Sequence, residues 1–485
     1  MGALMFQGTG SDVGKSVLVA GLCRLLANRG IKVLPFKPQN MSNNAAVTAD
    51  GGEIGRAQAL QALACRAEPH TDMNPVLLKP QSDRAAQVVV HGRARGTLGA
   101  DYYRSRKGEL LDAVLASYQR LSAAADIVLV EGAGSPAEIN LRQGDIANMG
   151  FARAAGLPVV LIGDIDRGGV IASLVGTKAV IDPEDAALIR GFLINKFRGD
   201  LRLFDEGYAA IQRLTGWQGL GVIPWLPAVA KLPAEDAVAL DRVVPDEAGA
   251  IEIAVPMLSR IANFDDFDPL AQEPSVSLVM VQPGKPIPAT ASLIIIPGTK
   301  ATIADLAFLR AQGWDVDIAA HVRRGGHLLG ICGGYQMLGD TIADPVGVEG
   351  SAGTEQGLGY LPVRTRLGPE KALLRVNGTS LRDGAAFTGY EIHAGRTEGQ
   401  AESLLRMADG RTDGAISADG RIAGCYVHGL FNAPGQRAAW LTRLGVRSNG
   451  IDQRHAVDAA LDELASSLEA ALDMEKILSM AQDAA

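Results

Sequence analysis

Twice along its length the chain alternates short, almost wholly apolar runs with segments of helical periodicity, and this restricts the fold more than any single residue does. In the first half the runs are "ALMFQG", "KVLPFK", "DIVLVEG", "PVVLIGDID" and "IRGFLINK"; in the second they are "IEIAVPML", "VSLVMVQ", "ASLIIIPG", "GGHLLGIC" and "IAGCYVHG". Strands this apolar must be covered on both faces, which calls for a mostly parallel sheet flanked by helices. The expected class is α/β, with two domains each built on such a sheet, since 485 residues exceed what one ordinary core supports. Proline punctuation replaces periodicity from "IPWLPAVAK" to "VVPDEAGA". The boundaries read as a first domain over 1–235, a linker over 236–250, a second domain over 251–440 and a helical tail over 441–485. The tail is amphipathic and is expected to pack on the second domain.

"GTGSDVGKS" follows the first apolar run and opens a helix-patterned stretch. Backbone N–H groups of such a loop bind phosphate oxygens, which makes Gly8, Thr9, Gly10, Asp12, Val13 and Gly14 candidate nucleotide contacts. Lys15 is placed to neutralise the β- and γ-phosphates and the Ser16 hydroxyl to hold Mg²⁺. Five residues separate Gly8 from Gly14, one more than the ordinary pattern has. Glu131 closes "DIVLVE" at the carboxyl end of a strand, where a carboxylate can reach Mg²⁺ directly or through water. Asp50 and Glu53 of "TADGGEIGRAQ" are further metal candidates between which the residues do not choose. Asn195, in "INKFRGD", ends a late strand where an amide can read the adenine edge.

"HLLGICGGYQMLG" sets Cys332 on a glycine-rich corner between a strand and a helix. Such an elbow pushes the side chain out and aims the following N–H groups at whatever the sulfur attacks, and a helix N-terminus favours the thiolate. The base is expected to be His428 of "CYVHGLF", also at a strand end. Gly298, closing "IIIPG", and Gly333 supply loop amides for an oxyanion hole. His393 of "GYEIHAGRT" reads as positioned; the remaining histidines, His327 among them, read as packing or surface.

A net charge of −8 argues against a nucleic-acid or anionic-membrane surface. The four cysteines form neither a CxxC pair nor a Cys/His cluster, so no disulfide framework or zinc site is expected. The opening "MGALMFQGTG" has no basic leader segment and no apolar run is long enough to span a membrane, so a cytoplasmic protein is expected.

The long phosphate loop, with Lys37 in "PFKPQNM", resembles the dethiobiotin synthetase-like branch of P-loop proteins. That resemblance implies a second lysine near the γ-phosphate and the acceptor carboxylate. The Cys332 elbow with His428 resembles class I, triad-type glutamine amidotransferase domains of flavodoxin-like architecture, and implies that Gln336 touches the glutamine substrate. Members usually carry His-x-Glu; here His428-Gly429-Leu430 leaves the orienting carboxylate unassigned.

ATP-dependent carboxylate activation beside a glutaminase spells an amide ligase. The blocks "QGTGSDVGKS", "FKPQNMSNN", "GGEIGRAQALQA", "VEGAGSPAEINL", "GDIDRGGV" and "LINKFRGD", with "PGTKATIADLAFLR" and "YVHGLF", are similar to the family of glutamine-hydrolysing adenosylcobyric acid synthases. The family implies amidation of the b, d, e and g propionates of adenosylcobyrinic acid a,c-diamide through acyl phosphates, with ATP, Mg²⁺, L-glutamine and a corrinoid and no permanently bound prosthetic group. Asp164 and Asp166 of "GDIDRGG" and the "SPAEIN" loop are the expected walls of the corrinoid site. Homo-oligomerisation stays open. Cobyrinic acid a,c-diamide synthases and other ATP/glutamine amide ligases are the nearest alternatives. A partition-type ATPase switch shares the deviant loop but has no use for the Cys332/His428 pair.

Overall fold

The computed structural model describes residues 2–82, 85–99, 107–235, 249–350 and 352–483. The first lobe is built on a six-stranded, all-parallel sheet of β1 (Gly2–Gly8), β2 (Val33–Phe36), β3 (Ile127–Glu131), β4 (Val159–Asp164), β5 (Ile189–Phe197) and β6 (Gln218–Pro224). Their order is β6-β5-β4-β1-β3-β2, so the sheet reverses direction of winding at β1. Crevices for ligands open at the carboxyl ends of such strands. There the chain sets the Gly8 loop after β1, Lys37 after β2, Glu131 at the end of β3 and Asn195 near the end of β5.

The second lobe repeats the logic with β7 (Ile251–Pro256), β8 (Val276–Val281), β9 (Leu293–Ile296), β10 (His327–Ile331), β11 (Ala415–Ile416) and β12 (Ile422–Cys425). The order is β8-β7-β9-β10-β12-β11, parallel except for β11. All ten apolar runs named above hold these strands, except that β6 and β11 carry weaker patterns. A long antiparallel hairpin, Val363–Ser380 with Ala386–Gly399, lies beside this sheet and pairs through Tyr390 with His428. Its strands alternate buried and exposed residues, and Ile392 on it closes a small apolar cluster with Ala45, Val47, Leu77 and Val89 of the first lobe.

The tail departs from expectation. Helix α1 (Gln453–Ala471) and helix α2 (Met474–Gln482) pack on the first lobe, not the second. Leu461, Leu464 and Leu468 are fully buried against the helix of residues Lys15–Asn28 that carries Lys15 and Ser16. Gly21 makes this possible, because a Cβ there would stand 2.5 Å from Leu468 Cδ1 and 2.7 Å from Leu464 Cγ. Arg24 pairs with Asp458, and Asn28 donates to Asp462 at 3.1 Å. Amphipathicity shows that a helix must dock but not where; the matching groove lies at the other end of the chain. The expected linker falls mainly on 236–248, outside the described residues.

Candidate active site

Two constellations, one per lobe, face each other across the junction. In the second lobe Cys332 follows β10 with φ 52°, ψ −108°, a backbone conformation that non-glycine residues rarely adopt. The bend is tight enough that a Cβ on Gly334 would lie 2.0 Å from the Ile296 carbonyl oxygen, so only glycine fits there. Cys332 N–H donates to the Cys425 carbonyl at 2.8 Å, which ties the elbow to β12.

His428 is fully buried beside Cys332, whose Sγ donates to the Ile392 carbonyl at 3.5 Å. Its Nδ1 lies 2.7 Å from Asp266 Oδ2, and the other Asp266 oxygen accepts the Gly429 N–H at 2.6 Å. Asp266 is the orienting carboxylate that His428-Gly429-Leu430 leaves out, and it comes from a 3₁₀ turn, Phe264–Phe267, after β7. Burial pulls the imidazole pKa down, but Asp266 and Cys332 outweigh it and hold the ring protonated up to about 10. Gly298 packs so closely that a Cβ would sit 2.8 Å from His428 Cε1. Gln336 accepts from Thr302 Oγ1 at 2.9 Å and donates to the Tyr426 hydroxyl at 3.1 Å. The His393 ring stacks on Tyr426 with centroids 3.6 Å apart, and burial first of all lowers its pKa to about 4. A cavity beside the sulfur is lined by Gly333, Gln336, Thr302, Lys300, Glu349, Lys371 and His393, and by Asn43 and Lys79 of the first lobe.

In the first lobe the phosphate loop is held from below. Gly14 has φ 95°, and a Cβ on it would meet Asn195 Nδ2 at 2.4 Å. That amide donates to the Val13 carbonyl at 2.8 Å, so Asn195 braces the loop and its nitrogen is not turned towards a base. Lys15 Nζ donates to the carbonyls of Gly10 (3.0 Å) and Gly134 (3.2 Å). Ser16 Oγ donates to Glu131 Oε1 at 2.6 Å and also contacts Glu235. Lys37 Nζ bridges the same two carboxylates at 2.8 and 2.7 Å, which keeps it fully charged despite its burial.

One expectation is corrected here. Glu235, not Asp50 or Glu53, joins Glu131 at Ser16. Asp50 instead accepts from Thr71 Oγ1 at 2.6 Å, and Glu53 lies between Lys79 (2.9 Å) and Lys371 (2.5 Å). Asp164 and Asp166 are taken up in ion pairs with Lys196 (2.8 Å) and Arg198 (2.7 Å). Arg167 adds a pair with Asp12 of the phosphate loop at 2.9 Å. These two acids shape the rim of the loop.

Sequence reasoning missed Asp266, Glu235 and the pair Asn44–Asn263. Asp266 had a signal: acids interleaved with aromatics in "NFDDFD" are unusual in a segment that must be buried. Glu235 had none. Among the described residues no group of three His, Cys, Asp or Glu side chains is arranged to hold a metal. The hard oxygens of Ser16, Glu131 and Glu235 do fit Mg²⁺, which takes few protein ligands beside nucleotide phosphates.

A phosphate-loop lobe and a thiol–imidazole–carboxylate lobe on one chain define a glutamine amidotransferase fused to a nucleotide-binding domain. Residues 4–239 match the model of the CobQ/CobB/MinD/ParA nucleotide binding domain, and residues 252–436 that of the CobB/CobQ-like glutamine amidotransferase domain. The chain is 64% identical over 484 residues to a cobyric acid synthase of Rhizorhabdus wittichii, covering 99% of each. It is 63% identical over 483 residues to that of Rhodobacter capsulatus, covering 99% of this chain and all of the relative. The chain belongs to the cobyric acid synthase family. Among solved structures, a PurLQS chain from Thermotoga maritima is similar with a TM-score of 0.29 at 17% identity, over 44% of this chain and 97% of that one.

Proposed function

We propose that the protein is an ATP-dependent, glutamine-hydrolysing ligase that amidates the b, d, e and g propionates of adenosylcobyrinic acid a,c-diamide, giving adenosylcobyric acid. The observation that carries this reading is that both half-sites share one polar network. When its Nε2 is unprotonated, His428 accepts from Asn263 Nδ2 at 3.2 Å, and the Asn263 backbone N–H donates to Asn44 Oδ1 at 2.7 Å. Asn44 Nδ2 donates to the Glu235 carbonyl at 3.3 Å, and the Glu235 carboxylate meets Ser16 and Lys37.

Cys332 attacks the side-chain amide carbon of glutamine while His428 moves protons and the Gly333 and Gly298 loops receive the oxyanion. A γ-glutamyl thioester forms, ammonia leaves, and water then releases glutamate. In the first lobe Lys15 and the loop amides hold ATP, and Lys37 draws the acceptor carboxylate towards the γ-phosphate. Phosphorylation of that carboxylate gives it a leaving group, and ammonia displaces phosphate to make the amide. Ser16, Glu131 and Glu235 would hold Mg²⁺, which neutralises phosphate charge when bound. The second lobe's triad has no part in a partition-type switch. Among the described residues no helix is long and apolar enough to cross a membrane. Four unpaired thiols accord with a cytoplasmic site of action.

Mass spectrometry of the corrinoid incubated with ATP and glutamine tests the reading. The expected result is stepwise replacement of OH by NH₂ at the b, d, e and g positions. ATP turnover with no change in corrinoid mass would sink it.

A further inference from the structure

The cavity beside Cys332 contains more buried positive charge than the triad uses. Lys79 and Lys371 approach it from opposite lobes, and their side chains are only 3% and 15% exposed. Both contact one carboxylate, Glu53, which is fully buried. Lys300 joins them, and none of the described residues accepts a hydrogen bond from its Nζ. The other acid of the cavity, Glu349, sits apart from Glu53 on the Thr302 side, where its carboxylate accepts the Thr302 N–H at 2.6 Å.

Three lysines face two carboxylates: Lys79 and Lys371 share Glu53, and Lys300 stands near Glu349, so basic groups outnumber acidic ones in the cavity and an added anion would be stabilised there. Burial, followed by Lys79, pulls Lys300 below its usual range. Burial also pulls Lys371 down to about 7, with Glu53 opposing and Lys79 and Lys300 adding to the fall. Burial raises Glu349 to about 7 although Lys300 opposes it, so a further cation beside it would favour its ionised form. A small ligand with a carboxylate at one end and an ammonium beside it answers both needs. It must also extend an uncharged amide to Cys332.

We propose that Lys79 of the first lobe, together with Lys300 and Lys371 of the second, receives the α-carboxylate of glutamine and Glu349 its α-ammonium, so that the donor site is completed by the lobe that binds nucleotide. The proposal rests on the glutaminase reading above and adds to it that the second lobe alone recognises glutamine poorly. The carboxylate could instead belong to the acceptor corrinoid, and the experiment separates the two sources.

Steady-state hydrolysis by the full-length enzyme is measured with glutamine, with 4-aminobutanamide, which lacks the α-carboxylate, and with 5-amino-5-oxopentanoate, which lacks the α-amine. The native enzyme should favour glutamine over each analogue. Lys79→Met should raise the glutamine KM about 10–100-fold, the worth of a charge-assisted hydrogen bond, with the effect on KM rather than kcat. It should also abolish the preference over 4-aminobutanamide while keeping that over 5-amino-5-oxopentanoate; Glu349→Gln should do the reverse. Lys79→Arg should restore most of the glutamine KM. The ratio of glutamine- to ammonia-supported amidation reports the donor site apart from the synthetase chemistry. The proposal is overturned if the native enzyme uses 4-aminobutanamide as well as glutamine, a comparison that needs no variant to fold. It is equally overturned if Lys79→Met keeps its preference for the α-carboxylate, or raises the KM for the corrinoid acid and leaves that for glutamine unmoved. A protein with no glutaminase activity at all would instead refute the broader reading.

Discussion

Asn44 and Asn263 interlock across the junction of the two lobes. Asn263 donates its backbone N–H to Asn44 Oδ1 at 2.7 Å, and its own Oδ1 accepts the Ala45 N–H at 3.0 Å. The second contact fixes the orientation of the Asn263 amide, so its nitrogen faces His428 Nε2 at 3.2 Å. Asn263 holds a left-handed backbone conformation, φ 54°, which asparagine tolerates better than most residues. The first lobe thereby reaches the His428 imidazole of the second.

Loss of that grip is expected to uncouple the two activities. In Asn44→Ala the Asn263 N–H is left without its acceptor, at a cost of about 1–3 kcal/mol in stability. The glutamine hydrolysed per amide formed should rise, with free ammonia appearing in the medium. Parallel assays of glutamate and amidated corrinoid check it; an unchanged ratio would count against the coupling.

Asp266→Asn should strike glutamine use selectively. Removing the carboxylate that orients His428 is expected to cut the glutaminase kcat by on the order of 10²-fold or more. The sign of the pH effect follows from the raised imidazole pKa. The proton that Asp266 helps His428 keep up to about 10 should leave nearer the ordinary value of 6.5 in the variant. The contribution of this ion pair to stability is complete below about pH 6.5 and lost as pH climbs towards 10. In Asp266→Asn, melting temperature should therefore fall less between these limits than it does in the native protein. Calorimetry across that range is the check.

Lys37→Met leaves Glu131 and Glu235 facing each other without their shared cation. Breaking a buried pair in this way costs about 3–5 kcal/mol. Amidation should fail with ammonia as well as with glutamine, which separates this variant from Cys332→Ala, where only glutamine use is lost. Retention of ammonia-supported synthesis in Lys37→Met would remove Lys37 from the phosphate chemistry.

A chain ending at residue 451 tests the tail. It would expose the face of the first helix now covered by Leu461, Leu464 and Leu468. At about 1.5–3 kcal/mol per buried leucine, the first lobe should lose most of its stability and its affinity for ATP. Denaturant melts and nucleotide titration of the truncated protein measure both.

Much of this was legible in the sequence. The wholly apolar strands, the Gly8–Ser16 loop and the Cys332 elbow are local signals, each set by neighbours along the chain. Lys37 and Glu131 were legible because a polar residue at the carboxyl end of a buried strand of a parallel sheet must face its ligand-binding edge, and His428 because it closely follows such a strand. Asp266, Glu235 and the asparagine pair depend instead on contacts between segments 162 to 219 residues apart. No periodicity records such distances. Asp50 and Glu53 misled for the same reason, since an acid in a glycine-rich loop looks alike whether it meets a metal or a lysine. The hairpin of residues 363–399 escaped notice because its faces are only partly buried and so alternate weakly.

The docking of α1 and α2 on the helix of the phosphate loop has a bearing on how the molecule holds together. The segment 453–482 follows the second lobe along the chain yet finishes the first, which without it lacks one wall of its interior. Scission anywhere in the segment joining the lobes would strand that wall on the wrong fragment. A fragment of residues 2–235 is therefore expected to lack the leucines that cover its phosphate-loop helix and to bind nucleotide poorly.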